Sequence, residues 1–228
     1  MELSLSCLPR LLRKGASGCC AGLLLLGGAA QAALSGDVTV TLAAPGGIVG
    51  IPTPLLVTQV APLATGIVAG GGGPVASYML DGESITFVGD SIHLQTDAGA
   101  QLGNGSYVTG YLGSGPVHAS YTLDNLDISG RQITGYTVTA FDGFGASGNI
   151  GLISAANAST AVHLLTPHSL SVDLDTLIFQ DRGLGGGYNY ADIRIDLIST
   201  VPEPGTALLA LCGGGLLLLL RARTRRPC

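Results

Sequence analysis

Tryptophan is absent from the 228 residues, and aromatic side chains supply only 5% of them. All five cysteines (Cys7, Cys19, Cys20, Cys212 and Cys228) lie in the terminal segments, so the stretch 33–200 has none. Disulfides and thiolate zinc sites are therefore excluded from that stretch, and its stability has to come from packing. Lysine is missing from it too. Arg131, Arg182 and Arg194 stand against thirteen acids there, a net −10 that the whole-chain value of −5 conceals. Phosphate contacts need Lys and Arg, so nucleic acid is not expected as a partner. Between 33 and 200 no apolar spacing keeps a 3.6-residue period for three turns, and no fixed-period repeat is visible. Neither G-x-S-x-G nor H-E-x-x-H occurs.

What the stretch does contain is glycine and alternation. The chain has 36 glycines, about twice the usual share, yet strand patterning persists between them, so they read as turns. Residues 37–42 alternate polar and apolar. Pro45, Pro52, Pro54 and Pro62, followed by four glycines at 70–73, make 43–73 suited to edge strands and a loop rather than a central element. Residues 75–80, Asp81-Gly82 and 83–88 read as two strands joined by a two-residue hairpin turn. Gly89-Asp90 then precedes 91–95. Further strands are expected at 106–112, 117–123, 132–141, 150–154, 161–165, 169–179 and 191–198. About ten short strands with Gly, Asn and Asp turns predict an all-β fold, a single β-sandwich or jelly-roll-like domain over 33–200.

Both ends read as addresses. Residues 1–32 have the form of a secretory signal peptide. Arg10, Arg13 and Lys14 give a positive start, 21–28 an apolar centre, and Ala30-Gln31-Ala32 a cleavage signature that would leave Ala33 first. Signal peptidase and the Sec translocon are the implied partners. Cys19 and Cys20 precede the leucine run, whereas a lipidated cysteine follows it, so lipidation is not expected. At the other end stand Pro202-Glu203-Pro204, an apolar run at 205–220, and a basic tail at 221–228 containing Arg221, Arg223, Arg225 and Arg226. As a helix the sixteen apolar positions would rise roughly 24 Å, short of a ~30 Å bilayer core but within reach of local thinning or snorkelling. The arginines would hold the C-terminus in the cytoplasm, leaving the chain tail-anchored in the inner membrane with its domain outside. A buried core helix, begun by Pro-Glu-Pro after a strand, is the alternative.

The three parts in this order resemble the PEP-CTERM sorting signal. Pro202, Glu203 and Pro204 match its motif, and the likeness is confined to about the last 28 residues. It implies recognition and processing of the tail by an exosortase, a multipass, cysteine-protease-like membrane protein. It further implies an export route ending at the cell surface or in an extracellular matrix with exopolysaccharide. The prolines fit such a role physically, because both fix φ, lack an N–H and keep the motif extended.

A second likeness is local. Residues 179–195 resemble the acidic, glycine-rich stretch that closes many exported β-sandwich domains, of the form D-x-GGG-D-Y-N-D. It implies calcium as the one candidate cofactor, with Asp181, Asn189 and Asp192 as ligands. Asn189 and Ala191 depart from the pattern, and a glycine hairpin joining the last two strands, with Asp192 beside Arg194 on a solvated face, is the favoured alternative. No residue is assigned a catalytic role. His93, His118, His163 and His168 each lie on or beside a strand. Asp173 with Asp175, and Asp124 with Asp127, could serve glycoside chemistry as carboxylate pairs. Tyr78, Tyr107, Tyr111, Tyr121 and Tyr136 could form a carbohydrate platform or simply pack. The leading expectation is a non-enzymatic structural or adhesive surface protein. The alternatives are an exported polysaccharide hydrolase and a calcium-stabilised binding module.

Overall fold

Period-two alternation dictates most of what is seen. In the computed structural model, which describes residues 33–102, 105–140, 150–181 and 190–201, Val38, Val40, Leu42 and Ala44 are buried while Thr39, Thr41 and Ala43 point outward. The strands are β1 (Val38–Ala44), β2 (Gly47–Ile48), β3 (Leu55–Ala61), β4 (Ile67–Val68), β5 (Ser84–Val88), β6 (Ser91–Asp97), β7 (Ala100–Gln101) and β8 (Ser106–Val108). They continue with β9 (Tyr111–Leu112), β10 (Ser120–Asp124), β11 (Gln132–Ala140), β12 (Ile150–Leu152), β13 (Val162–Thr166), β14 (Ser169–Asp173), β15 (Ile178–Asp181) and β16 (Tyr190–Thr200). One short helix, α1 (Ala155–Ala161), interrupts them.

The first sheet runs β13-β14-β10-β1-β3, the second β11-β16-β6-β5-β4, the third β12-β15-β8-β7, and β2-β9 forms a ribbon. The pairings are antiparallel throughout. Inward residues of both five-stranded sheets, among them Val40, Leu42, Leu123, Leu170, Ile92, Leu94, Ile193 and Ile195, belong to one hydrophobic core. The all-β expectation is met. So is the proline-based reading of 43–73, since β3 and β4 both lie at sheet edges.

The hairpin expected across Asp81-Gly82 is not there. Residues 75–79 wind instead, with Ser77 N–H donating to Gly73 O (3.1 Å) and Met79 N–H to Val75 O (3.1 Å). Their buried members are Val75, Ala76 and Met79, the spacing of a single helical turn rather than of a strand. The hairpin forms one turn later. Val88 pairs with Ser91 across Gly89-Asp90, and Gly89 takes φ +65°, which glycine adopts without steric cost.

Two other expected strands are broken. Thr109-Gly110 separates β8 from β9, and a 3-10 turn at Leu174–Thr176 separates β14 from β15. The helix α1 spans two turns, too few to register as a period. Ser154 caps it, its Oγ accepting from Asn157 N–H (3.3 Å). Asn157 then clamps the 3-10 turn region, donating from Nδ2 to Thr176 O (2.9 Å) and accepting from Ile178 N–H (2.8 Å).

The described residues all fall in one compact unit that begins at Ala32. The expected signal segment 1–32 and tail 202–228 lie outside them. Among the described residues no helix is long and apolar enough to cross a membrane.

One inward position on β6 breaks the apolar rule. Thr96 is fully buried opposite Ala191, and no group among the described residues reaches its hydroxyl. A buried donor without a partner costs about 1–3 kcal/mol. Thr96→Val keeps the shape and removes the hydroxyl, so it should stabilise the chain by about 1 kcal/mol. A higher urea midpoint at unchanged slope would register this.

Candidate functional site

Polar chemistry in this domain is divided between a buried carboxyl cluster and a set of surface His–Asp pairs. The cluster centres on Glu83, which is fully buried at the start of β5. Its Oε2 accepts from Leu80 N–H (3.0 Å), from the Tyr111 hydroxyl and from the Tyr121 hydroxyl (3.4 Å). Its Oε1 accepts from Asp97 N–H (3.2 Å). The tyrosine rings meet edge to face with centroids 6.0 Å apart, a favourable arrangement of aromatic quadrupoles, and their hydroxyls are 3.1 Å apart.

Four donors aimed at one carboxyl favour its anion, but burial disfavours that anion more. Desolvation, offset by the Tyr111, Leu80 and Asp97 hydrogen bonds, pushes the Glu83 pKa up to about 7. Asp97 is raised as well, by burial and by the nearby charge of Asp81. Tyr111 and Tyr121 are held far above the usual phenol range by burial and by the Glu83 charge.

Hydrogen counting gives the two protonation states different bonding. The Tyr111 hydroxyl has a single proton and three acceptors in reach, Glu83 Oε2, Tyr78 O (3.2 Å) and the Tyr121 hydroxyl (3.1 Å). With Glu83 ionised, that proton goes to the carboxylate. With Glu83 protonated, the acid can donate to Tyr111, which frees the Tyr111 proton for Tyr78 O.

Three of the four histidines pair with aspartates. His118 Nδ1 lies 3.0 Å from Asp175 Oδ1, His163 Nε2 3.1 Å from Asp173 Oδ2, and His168 Nδ1 2.8 Å from Asp127 Oδ1. All three imidazoles are about half exposed. Asp173 and Asp175 thus do not act as a pair on one strand face. Asp173 ends β14, Asp175 sits in the 3-10 turn, and each holds a different histidine. Asp124 and Asp127 likewise separate, Asp124 Oδ1 accepting from Ser169 Oγ (2.6 Å). Gly113 makes room for Asp175, since a Cβ there would stand 2.3 Å from its Oδ2. A carboxylate on Nδ1 orients an imidazole and leaves Nε2 as a base, the arrangement that general-base catalysis uses.

Of the two readings left open for the tyrosines, packing holds for Tyr111, Tyr121 and Tyr136. Tyr111 and Tyr121 are core residues, and Tyr136 donates to Val162 O (2.5 Å). Of the calcium candidates, Asp181 ends β15 and Asp192 lies on β16 opposite Gln95. Asn189 lies outside the described residues, as do Ala30, Ala32, Pro202, Glu203, Pro204, Arg221, Arg223, Arg225 and Arg226. Ala33 is exposed. Arg194, expected beside Asp192, donates from Nε to Asp196 Oδ2 (3.0 Å). No family model matches the chain, and neither do curated proteins or solved structures.

Glu83 was not singled out by sequence reasoning, although a signal existed: it is the sole glutamate between 33 and 200, where every other acid is aspartate. The longer side chain lets a turn residue reach the phenols of two separate strands.

The raised pKa fixes a sign. Unfolded, Glu83 titrates near 4.5; folded, near 7. The folded state therefore binds the extra proton between those values, and stability falls as pH rises from about 4.5 to about 7, then levels off. At 1.36 kcal/mol per pKa unit the loss is about 3 kcal/mol. Asp97 shifts in the same direction and adds to it. Thermal unfolding from pH 4.5 to 8 should show this decline in the native chain and a much flatter profile in Glu83→Gln.

Proposed function

We propose that this chain is an exported surface or matrix protein whose tail is a sorting signal read by an exosortase-like membrane protease or transpeptidase. Its β-sandwich cargo then serves a structural or adhesive role in a polysaccharide-rich envelope or biofilm. The observation that carries the reading is the order of parts at the end of the chain: Pro202-Glu203-Pro204, the apolar run 205–220, then Arg221, Arg223, Arg225 and Arg226. The start of the chain supports it, with a cleavage signature at Ala30 and Ala32 ahead of a domain free of cysteine.

The outer face of the first sheet suits such a role. Thr58, Thr41 and Thr122 stand in register across three strands, a row of hydroxyls without charge. Hydroxyls that can both donate and accept are adaptable partners for a hydrated neutral glycan.

The His118–Asp175 contact favours a second reading, an exported hydrolase acting on polysaccharide with His118 as base. Under it, glycan cleavage by the native protein would be lost in His118→Gln and in Asp175→Asn. Under the structural reading the native protein cleaves nothing, and neither substitution alters surface retention.

The sorting proposal has its own test. Mass spectrometry of the protein recovered from cells should find a chain that starts at Ala33 and ends near Pro202. Substituting Glu203→Ala should leave the 205–228 segment attached. Recovery of the intact 228-residue chain from the cytosol would refute the reading.

A further inference from the structure

Sheet edges are sticky, because their outward N–H and C=O groups are unpaired, and natural β-proteins blunt them. Among the described residues, most sheet edges are blunted. The second and third sheets end in β4 and β7, two residues each. β11 carries a register shift between Ile133 and Gly135, and its Tyr136 is tied to Val162 of β13. β13 is itself shifted between Leu164 and Thr166.

β3 is different. It pairs with β1 through seven consecutive residues without a shift. It has no charge and no proline within Leu55–Ala61, and among the described residues no backbone group bonds its outer edge. Leu56 is 74% exposed and Val60 57%, although strands tolerate such residues best where a neighbour covers them.

From these features we propose that β3 is a self-association edge, pairing antiparallel with β3 of a second copy about a two-fold axis at Thr58. The sequence Leu55-Leu56-Val57-Thr58-Gln59-Val60-Ala61 is self-complementary about that residue at 56/60 and 55/61, and departs from it where Val57 would meet Gln59, whose amide is held by Gly72, Val75 and Ala76. Thr58 would face its own counterpart, Leu56 would meet Val60 on both sides of it, and Leu55 would meet Ala61. An isologous interface demands this kind of self-complementarity. Charge points to the same partner. Two copies of a domain with three arginines and thirteen acids repel one another, and an uncharged strip is where they can touch at least cost. The product is a continuous sheet of both copies' strands, β13-β14-β10-β1-β3 joined to its symmetry mate. A single strand pair buries much less than the ~800 Å² per partner of a standard interface. The contact is therefore weak in dilute solution and gains occupancy where copies are crowded on a surface.

Disulfide trapping tests this, because 33–200 holds no competing cysteine. Opposed Cα atoms of an antiparallel pair lie about 4.5–5.5 Å apart, within the span of a disulfide. The purified full chain carrying Thr58→Cys would be oxidised gently and its linked peptides mapped by mass spectrometry. Thr122→Cys, on the same face in the middle of the sheet, is the control. We expect the Thr58→Cys chain to link to its own counterpart, 58 to 58, about tenfold more often than the Thr122→Cys chain links 122 to 122. That excess should fall at least about fivefold when Leu56→Lys and Val60→Lys are added, because like charges opposite one another oppose pairing. As a second measure, the native chain should sediment faster as its concentration rises, and the Leu56→Lys, Val60→Lys chain should not. Links from the introduced thiol at 58 mainly to Cys7, Cys19, Cys20, Cys212 or Cys228, links no more frequent than the control, or sedimentation indifferent to the two lysines would each overturn the proposal.

Discussion

A single buried carboxyl is the joint on which the arrangement of this domain turns. Glu83 takes hydrogen bonds from Leu80 in the turn segment, from Asp97 on β6 in the second sheet, from Tyr111 on the β2-β9 ribbon and from Tyr121 on β10 in the first sheet. Apolar burial alone is indifferent to small slides of one sheet over another. A hydrogen-bonded carboxyl is not, because each donor has a length and a direction to satisfy, and an unmade bond in the interior is expensive. The same burial that makes the cluster a geometric constraint also raises the pKa of Glu83. Register and proton affinity have one cause.

The alternating stretches were readable from sequence because a half-buried strand writes its own pattern. Residues 37–42 became β1, and 132–140 and 191–198 fell within β11 and β16. The prolines around β3 marked an edge correctly. What could not be read locally depended on partners far along the chain. Val75, Ala76 and Met79 look like strand residues, but they are buried by winding over the core, and that choice is made by the Glu83 cluster and by Gln59. The Gln59 Oε1 accepts from Val75 and Ala76 N–H (3.0 and 3.1 Å). The histidine pairs were opaque for the same reason: His118 and Asp175 meet only once the chain between them has folded into five strands and a helix. The candidate sorting residues were legible as motifs, since the order Pro-Glu-Pro, apolar run, arginines is read from the sequence alone.

The surface shows a consistent division of labour. Carboxylates are concentrated at turns and strand ends, where three of them hold histidines, while the middle of the first sheet's outer face carries the threonines Thr58, Thr41 and Thr122. A domain without cysteine must finish folding through contacts of this type, and the export we propose would have it do so after crossing a membrane. Its central pairings, β1 with β10 and β6 with β16, join residues far apart in the chain, a non-local topology that slows folding.

The absence of tryptophan gives the Tyr111–Tyr121 pair an optical consequence. Tyrosine supplies the ultraviolet emission of this chain, and a carboxylate hydrogen-bonded to a phenol quenches its excited state more strongly than the neutral acid does. The charge on Glu83 is thereby coupled to the brightness of the two rings beside it. The protein carries its own unlabelled reporter of the proton at its centre.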